Sequence, residues 1–162
     1  MILKSVQIQK YKSIMDSTIV EIESGITCLV GKNESGKTSF LEALYRLNPL
    51  PTGHHTDFKE LRDYPRRYRS RDQAQIPKTI PVTATFELDE TDTKLLAQQF
   101  GDGVLSTSTI TISKNYDNKL TWVVPIDEQS LIRSLVAEKE LDPNIAKAVS
   151  YTHLTLPTNR EV

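Results

Sequence analysis

Eight consecutive residues, Gly31-Lys-Asn-Glu-Ser-Gly-Lys-Thr38, constrain this chain more than any other feature. They match the spacing G-x-x-x-x-G-K-[ST] in full, and the flanks match too. The apolar run Ile26-Thr-Cys-Leu-Val30 precedes them and reads as a strand covered on both faces. Lys37 to Leu47 follows, rich in helix formers, with Phe40, Leu41, Leu44 and Leu47 on one side. Asn48-Pro49 breaks that helix. Two glycines let the backbone curl so that successive N–H groups point inward as an anion nest. A helix N-terminus adds about half a positive charge at the same place. Lys37 reaches toward the β- and γ-phosphates of a nucleotide, and the Thr38 hydroxyl is placed to ligate Mg²⁺. A chance match in a chain this long is on the order of one per cent, since glycine is only about 7% of average usage.

The remaining pattern places this loop in an α/β chain. Val6 and Ile8, with Ile14, mark a first strand, and Ile19, Val20 and Ile22 a second. Residues 48–79 carry five prolines or glycines and many charges, and read as a long surface excursion with one helical turn near Phe58 to Leu61. Ile80, Val82, Ala84, Phe86 and Leu88 alternate with polar residues, which predicts an antiparallel strand with one wet face. A helix from Asp89 or Thr91 to Phe100 is stopped by Gly101. Ile110 and Ile112, then Leu120, Trp122 and Val124, flank a hairpin turn at Asn115 to Asn118. Leu131, Ile132, Leu135 and Val136 predict a last amphipathic helix, with another helical piece after Asp142-Pro143.

Composition narrows the class. The 162 residues suit about one domain, and the net charge of −1 creates no global field toward nucleic acid or membrane. No apolar run approaches the ~20 residues that span a bilayer, and the N-terminus lacks the apolar core of a signal peptide. The lone Cys28 has no partner for an internal disulfide and is expected as a small core residue in a reducing cytoplasm.

A resemblance now adds to these readings. The opening strand pair, Ile2-Leu-Lys-Ser-Val-Gln-Ile-Gln-Lys-Tyr-Lys-Ser13, followed by the run from Ile26 through the loop to Leu44, resembles the start of the RecF/SMC-like P-loop ATPases. Within them it is most similar to the AAA domain of OLD-family (overcoming lysogenization defect) proteins. The likeness is specific over residues 1–48 and only a pattern over 77–125. It implies an ABC-type head, here its N-terminal lobe: a Walker A strand–loop–helix beside an antiparallel β subdomain. It implies ATP and Mg²⁺ bound by Gly31, Lys32, Asn33, Glu34, Ser35, Gly36, Lys37, Thr38 and Ser39, with Thr38 on the metal. Asn33 matches the Asn such loops carry third, and Lys12 falls where relatives place a base that approaches the phosphates. The resemblance further implies a homodimer sandwiching nucleotide, work on DNA in processing, repair or phage defence, and in many OLD proteins a C-terminal nuclease domain.

Other parts of the family pattern are absent. No apolar run of four followed by two acids supplies a Walker B strand, and no Leu-Ser-Gly-Gly signature occurs. Phe86-Glu-Leu-Asp-Glu90 comes nearest but alternates like a solvated strand end. Gln98 and Gln99 lie in a helical pattern rather than a Q-loop. The expectation is therefore an incomplete domain: residues 1–149 as the N-terminal lobe, and 150–162 as a non-native or disordered tail resembling translated sequencing-adapter DNA. A small stand-alone kinase-like enzyme and a regulatory module ordered by nucleotide without turnover stay open as alternatives.

Three further clusters have readings of their own. Arg62, Arg66, Arg67, Arg69 and Arg71, interleaved with Tyr64 and Tyr68, fit a DNA-phosphate or subunit contact, or a solvated charged loop. His54-His55 with Asp57 lacks a third metal ligand. Trp122 is expected in the sheet core.

Overall fold

The computed structural model describes residues 1–50, 56–101 and 103–132. His54, His55, Leu135, Val136, the piece after Asp142 and the tail 150–162 lie outside them. The described residues divide into two compact units, Met1–Glu87 with Thr109–Val124, and Leu88–Ser108 with residues 125–132.

The first unit is built on a five-stranded antiparallel sheet. Its strands are β1 (Ile2–Tyr11), β2 (Ile14–Glu21), β3 (Val82–Glu87), β4 (Thr109–Lys114) and β5 (Leu120–Val123), in the order β2-β1-β3-β4-β5. The pairs Val6↔Ala84, Ile8↔Val82, Ala84↔Ile112 and Phe86↔Ile110 line up the alternating apolar side chains on one face. That face is the core: Val6, Ile8, Val82, Ala84, Ile110 and Ile112 are all buried. The α-helix α1 (Lys37–Leu47) packs on β1 and β3, burying Phe40, Ala43 and Leu47. Leu41, expected on that apolar stripe, is exposed, because the buried face is rotated toward Ala43 and Arg46.

Polar burial sets that rotation. The Arg46 guanidinium donates to Asp63 Oδ2 at 2.7 Å, and both side chains are almost wholly buried. Asp63 closes α2 (Glu60–Asp63) and also accepts from Arg62 Nε and the Lys59 backbone N–H. Its own carbonyl accepts from the Lys12 backbone N–H at 2.6 Å, which ties α2 to the β1–β2 turn. Around the pair stand Tyr11, Phe58, Tyr116 and Tyr64, in edge-to-face contacts with ring centroids 5.5–5.7 Å apart. Buried Lys114 donates to the Arg46 carbonyl at 2.9 Å, and Asn118 clamps Phe58 through both its side-chain amide and carbonyl.

Four expectations are corrected here. The run Ile26–Val30 forms no strand, and Ile26 and Val30 are 85% and 90% exposed. A strand is held by ladder hydrogen bonds, and among the described residues no neighbouring strand offers this run a ladder. Cys28, within it, is accordingly exposed rather than a core residue. Trp122 and Leu120 share the sheet face of Ile112 and Lys114 but are 56% and 48% exposed, since β5 is an edge strand. The 48–79 excursion, in turn, holds more order than a single turn. After α2, Pro65 opens α3 (Arg66–Asp72), and a 3₁₀ turn follows at Gln73–Gln75.

In the second unit, α4 (Glu90–Phe100) starts with a capping box between Asp89 and Asp92 and ends at Gly101, φ 94°. Leu105 bridges Ile126, and Asp127 caps a helical segment that begins at Glu128.

The acid sensitivity of the fold follows from the buried pair. Burial alone would raise the Asp63 carboxyl, but the Arg62 and Lys59 hydrogen bonds and the Arg46 charge outweigh it and hold the group below its ordinary value. A depressed native value means that this stabilisation is present above the unfolded value of about 3.9 and lost as pH falls through the native one. Thermal midpoints are thus expected to be flat from about pH 7 to 5 and to fall below about 4. At neutral pH Asp63→Ala is expected to cost about 3–5 kcal/mol in urea unfolding. An Asp63→Ala profile that parallels the wild type through the acid range would show that the pair does not carry the effect.

Candidate nucleotide site

The site is built where the loop meets α1. Glu34 has φ 65° and Gly36 φ 96°, so the backbone turns twice through left-handed conformations before the helix starts. The Ser35 N–H donates to the Lys32 carbonyl, and the Phe40 N–H to that of Gly36. The Lys37 ammonium folds back across the loop, donating to the carbonyls of Gly31 at 2.8 Å and Lys32 at 2.7 Å. The cation is thereby held at the mouth of the nest by two neutral acceptors, which compete only weakly with an anion.

The two loop glycines differ in how firmly the geometry requires them, Gly36 by its backbone conformation and Gly31 only through a movable side chain. A Cβ on Gly31 would come within 2.8 Å of the Ser35 hydroxyl. A Cβ on Gly36 would lie 3.1 Å from Ile14 Cγ1, at a φ that L side chains rarely adopt.

A cavity of about 420 Å³ opens here, lined by Ser13, Asn33, Glu34, Gly36, Lys37, Thr38 and Ser39. That volume lies within the range of small-molecule sites. Lys37, Thr38 and Ser39 line this cavity at the first turn of α1, residue types whose ammonium, hydroxyls and free N–H groups suit a phosphate chain with a hard cation. Gly31, Lys32 and Ser35 belong to the same loop but do not line the cavity.

Lys12, the other candidate, sits at the tip of the β1–β2 hairpin with φ 50°. Its ammonium pairs with Glu42 on α1 and lies 5.5 Å from the Tyr11 ring centroid. That hydrogen bond from Lys12 holds the Glu42 carboxyl below its ordinary value. The structure thus places Lys12 beside the site, on the middle of the loop's helix, and brings its neighbour Ser13 to the cavity itself. Sequence reasoning missed Ser13, and the signal was available only as two strands close enough to leave a two-residue turn.

Of the five arginines of the Arg-rich segment, Arg62 lies on α2 against Asp63, and Arg66, Arg67, Arg69 and Arg71 lie on α3, which has no buried residue. Arg67 and Arg71 flank the Tyr68 ring at 5.8 and 5.0 Å, and Arg69 donates to the Leu61 carbonyl. Asp72 at the helix end is occupied by Arg71, the Tyr64 hydroxyl and Lys10, which hold its carboxyl far below the ordinary range. Among the described residues no group of three or more His, Cys, Asp and Glu is placed to hold a metal ion.

A glycine-bracketed loop leading into a helix, beside a cavity of small-molecule size, is the local arrangement that the sequence motif predicts. Residues 1–150 match the AAA ATPase domain family, and the chain belongs to it. Over 42 residues, 26% of this chain, it is 43% identical to the chromosome partition protein Smc of Lactiplantibacillus plantarum, and the match spans 4% of that protein's length. A solved structure described as "Structural biochemistry of ATP-driven dimerization and DNA stimulated activation of SMC ATPases" is similar over 89% of this chain and 82% of its own. Its identity is 14% and its TM-score 0.40, a likeness too slight to carry weight.

The loop geometry is directly testable. Gly36→Ala forces a left-handed conformation and a contact with Ile14, and is expected to lower stability by about 1–2 kcal/mol, read by urea unfolding. An unchanged midpoint would mean that the loop has relaxed to another conformation.

Proposed function

We propose that this chain binds ATP with Mg²⁺ through Gly31, Lys32, Asn33, Glu34, Ser35, Gly36, Lys37, Thr38 and Ser39, as part of an ATPase that works on DNA. The observation that carries the reading is the cavity at the N-terminus of α1, lined by Lys37, Thr38 and Ser39 where the Gly-bracketed loop enters the helix. The backbone N–H groups and Lys37 would hold the phosphates, and the Thr38 hydroxyl would be the chain's ligand to Mg²⁺. When bound, Mg²⁺ neutralises phosphate charge and fixes the phosphate oxygens. Lys12, kept on Glu42 of the loop's helix, would act at the edge of the site through its positive charge.

The finer reading is a nucleotide-sandwiched homodimer of the RecF/SMC type, nearest to OLD-family proteins, acting in the cytoplasm on DNA. It is supported by the opening sequence pattern, by the kinship with a chromosome partition protein and by the basic surface of α3. Among the described residues no helix is long and apolar enough to cross a membrane.

Calorimetric titration of the chain with ATP tests the central claim. Lys37→Ala is expected to weaken binding at least tenfold, with or without metal. Thr38→Ala is expected to leave metal-free ATP binding near the wild type and to lose most of the gain that Mg²⁺ provides. Unweakened binding in Lys37→Ala would overturn the assignment.

The DNA reading has its own test. If Arg66, Arg67, Arg69 and Arg71 contact phosphates, their joint replacement by Ala is expected to lower the slope of log K against log salt by up to ~3.6 on duplex DNA. An unchanged slope would return α3 to a solvated helix.

A further inference from the structure

Register decides which residue of the β1–β2 hairpin faces the nucleotide site. Tyr11 pairs with Ile14, so the turn consists of Lys12 and Ser13 alone. Three anchors hold it: Tyr11 is fully buried, the Lys12 N–H bonds the Asp63 carbonyl, and the Lys12 ammonium pairs with Glu42. With Lys12 turned onto α1, Ser13 is the residue the turn presents to the loop. Its hydroxyl lies 3.4 Å from where a Cβ on Gly36 would stand, and it lines the cavity beside Lys37 and Thr38.

The Ser13 hydroxyl makes no hydrogen bond among the described residues. The other hydroxyls of this hairpin behave differently. Ser17 accepts from the Ile8 N–H and donates to the Thr18 carbonyl, and Thr18 donates to the Ser17 carbonyl. The backbone of the turn is anchored and its unengaged hydroxyl stands at the edge of the cavity, so little backbone ordering remains on binding.

We infer that Ser13 is a further ligand-binding residue of this site, donating its hydroxyl to an oxygen of the nucleotide's phosphate chain. This deepens the nucleotide reading and rests on it. A neutral donor from β1–β2 would join the sheet to a ligand otherwise held only by the loop and α1. It adds affinity for the phosphate chain without adding charge.

Calorimetric titrations of the full chain with Mg²⁺ and ATP, and separately with Mg²⁺ and pyrophosphate, test the inference. Ser13→Ala is expected to weaken both ligands about tenfold, as for a hydrogen bond to a charged group. Ser13→Thr, which keeps the hydroxyl, is expected to restore most of the affinity, and Ser24→Ala, elsewhere on the surface, to match the wild type. Equal weakening by Ser13→Thr and Ser13→Ala would overturn the inference in favour of a merely structural turn residue. So would a loss for ATP with none for pyrophosphate, which would put the contact on the nucleoside. Undiminished ATP binding in Ser13→Ala while Lys37→Ala still weakens it would overturn the Ser13 role and leave the site standing. Failure of the wild type to bind either ligand would overturn both.

Discussion

A guanidinium and a carboxylate buried together organise the first unit. Arg46 comes from the helix that begins at the phosphate loop, and Asp63 from the short helix within the Pro-rich excursion. Neither charge could be buried alone without a cost of several kcal/mol, so each specifies where the other's element must lie. The carbonyl of Asp63 then holds the Lys12 N–H, and the hairpin carrying Lys12 sits against Gly36. One polar contact thus orients α1, α2 and the β1–β2 turn together. The geometry of the cavity depends on all three.

Much of this was legible where the determining interactions are short-range in sequence. The loop and the start of α1 are encoded in adjacent residues, because the nest is made by the backbone between Gly31 and Gly36. The alternation from Val82 to Phe86 marked β3, since every second side chain enters one buried face. Asp89 and Gly101 bracketed α4 because caps act within one turn of their helix.

The misread parts are those that depend on distant partners. Ile26–Val30 has the composition of a covered strand, yet a strand exists only beside another, and composition does not reveal whether a neighbour is present. Arg46 lay in a helical pattern as an ordinary charged residue, and its burial needs Asp63, which is seventeen residues away. The Arg-rich segment looked like a loop because its charges hide any apolar stripe, while Pro65 and the bonds to Asp72 build α3 from outside that pattern. Ser13 escaped notice because the aim of a two-residue turn is set by the register of strands not yet placed.

The uncovered run beside the loop has a colloidal consequence. Ile26-Thr-Cys-Leu-Val30 carries no charge and no proline and combines β-branched with aliphatic side chains, the composition that pairs edge to edge between molecules. With Ile26 and Val30 almost fully in solvent, two copies could add these segments to one another as strands. Two exposed Cys28 thiols, one from each copy, could then lose two electrons and two protons to dissolved oxygen during handling, forming a disulfide that makes the association covalent. Handling the chain under reducing conditions and at low concentration follows directly from how that short segment is presented.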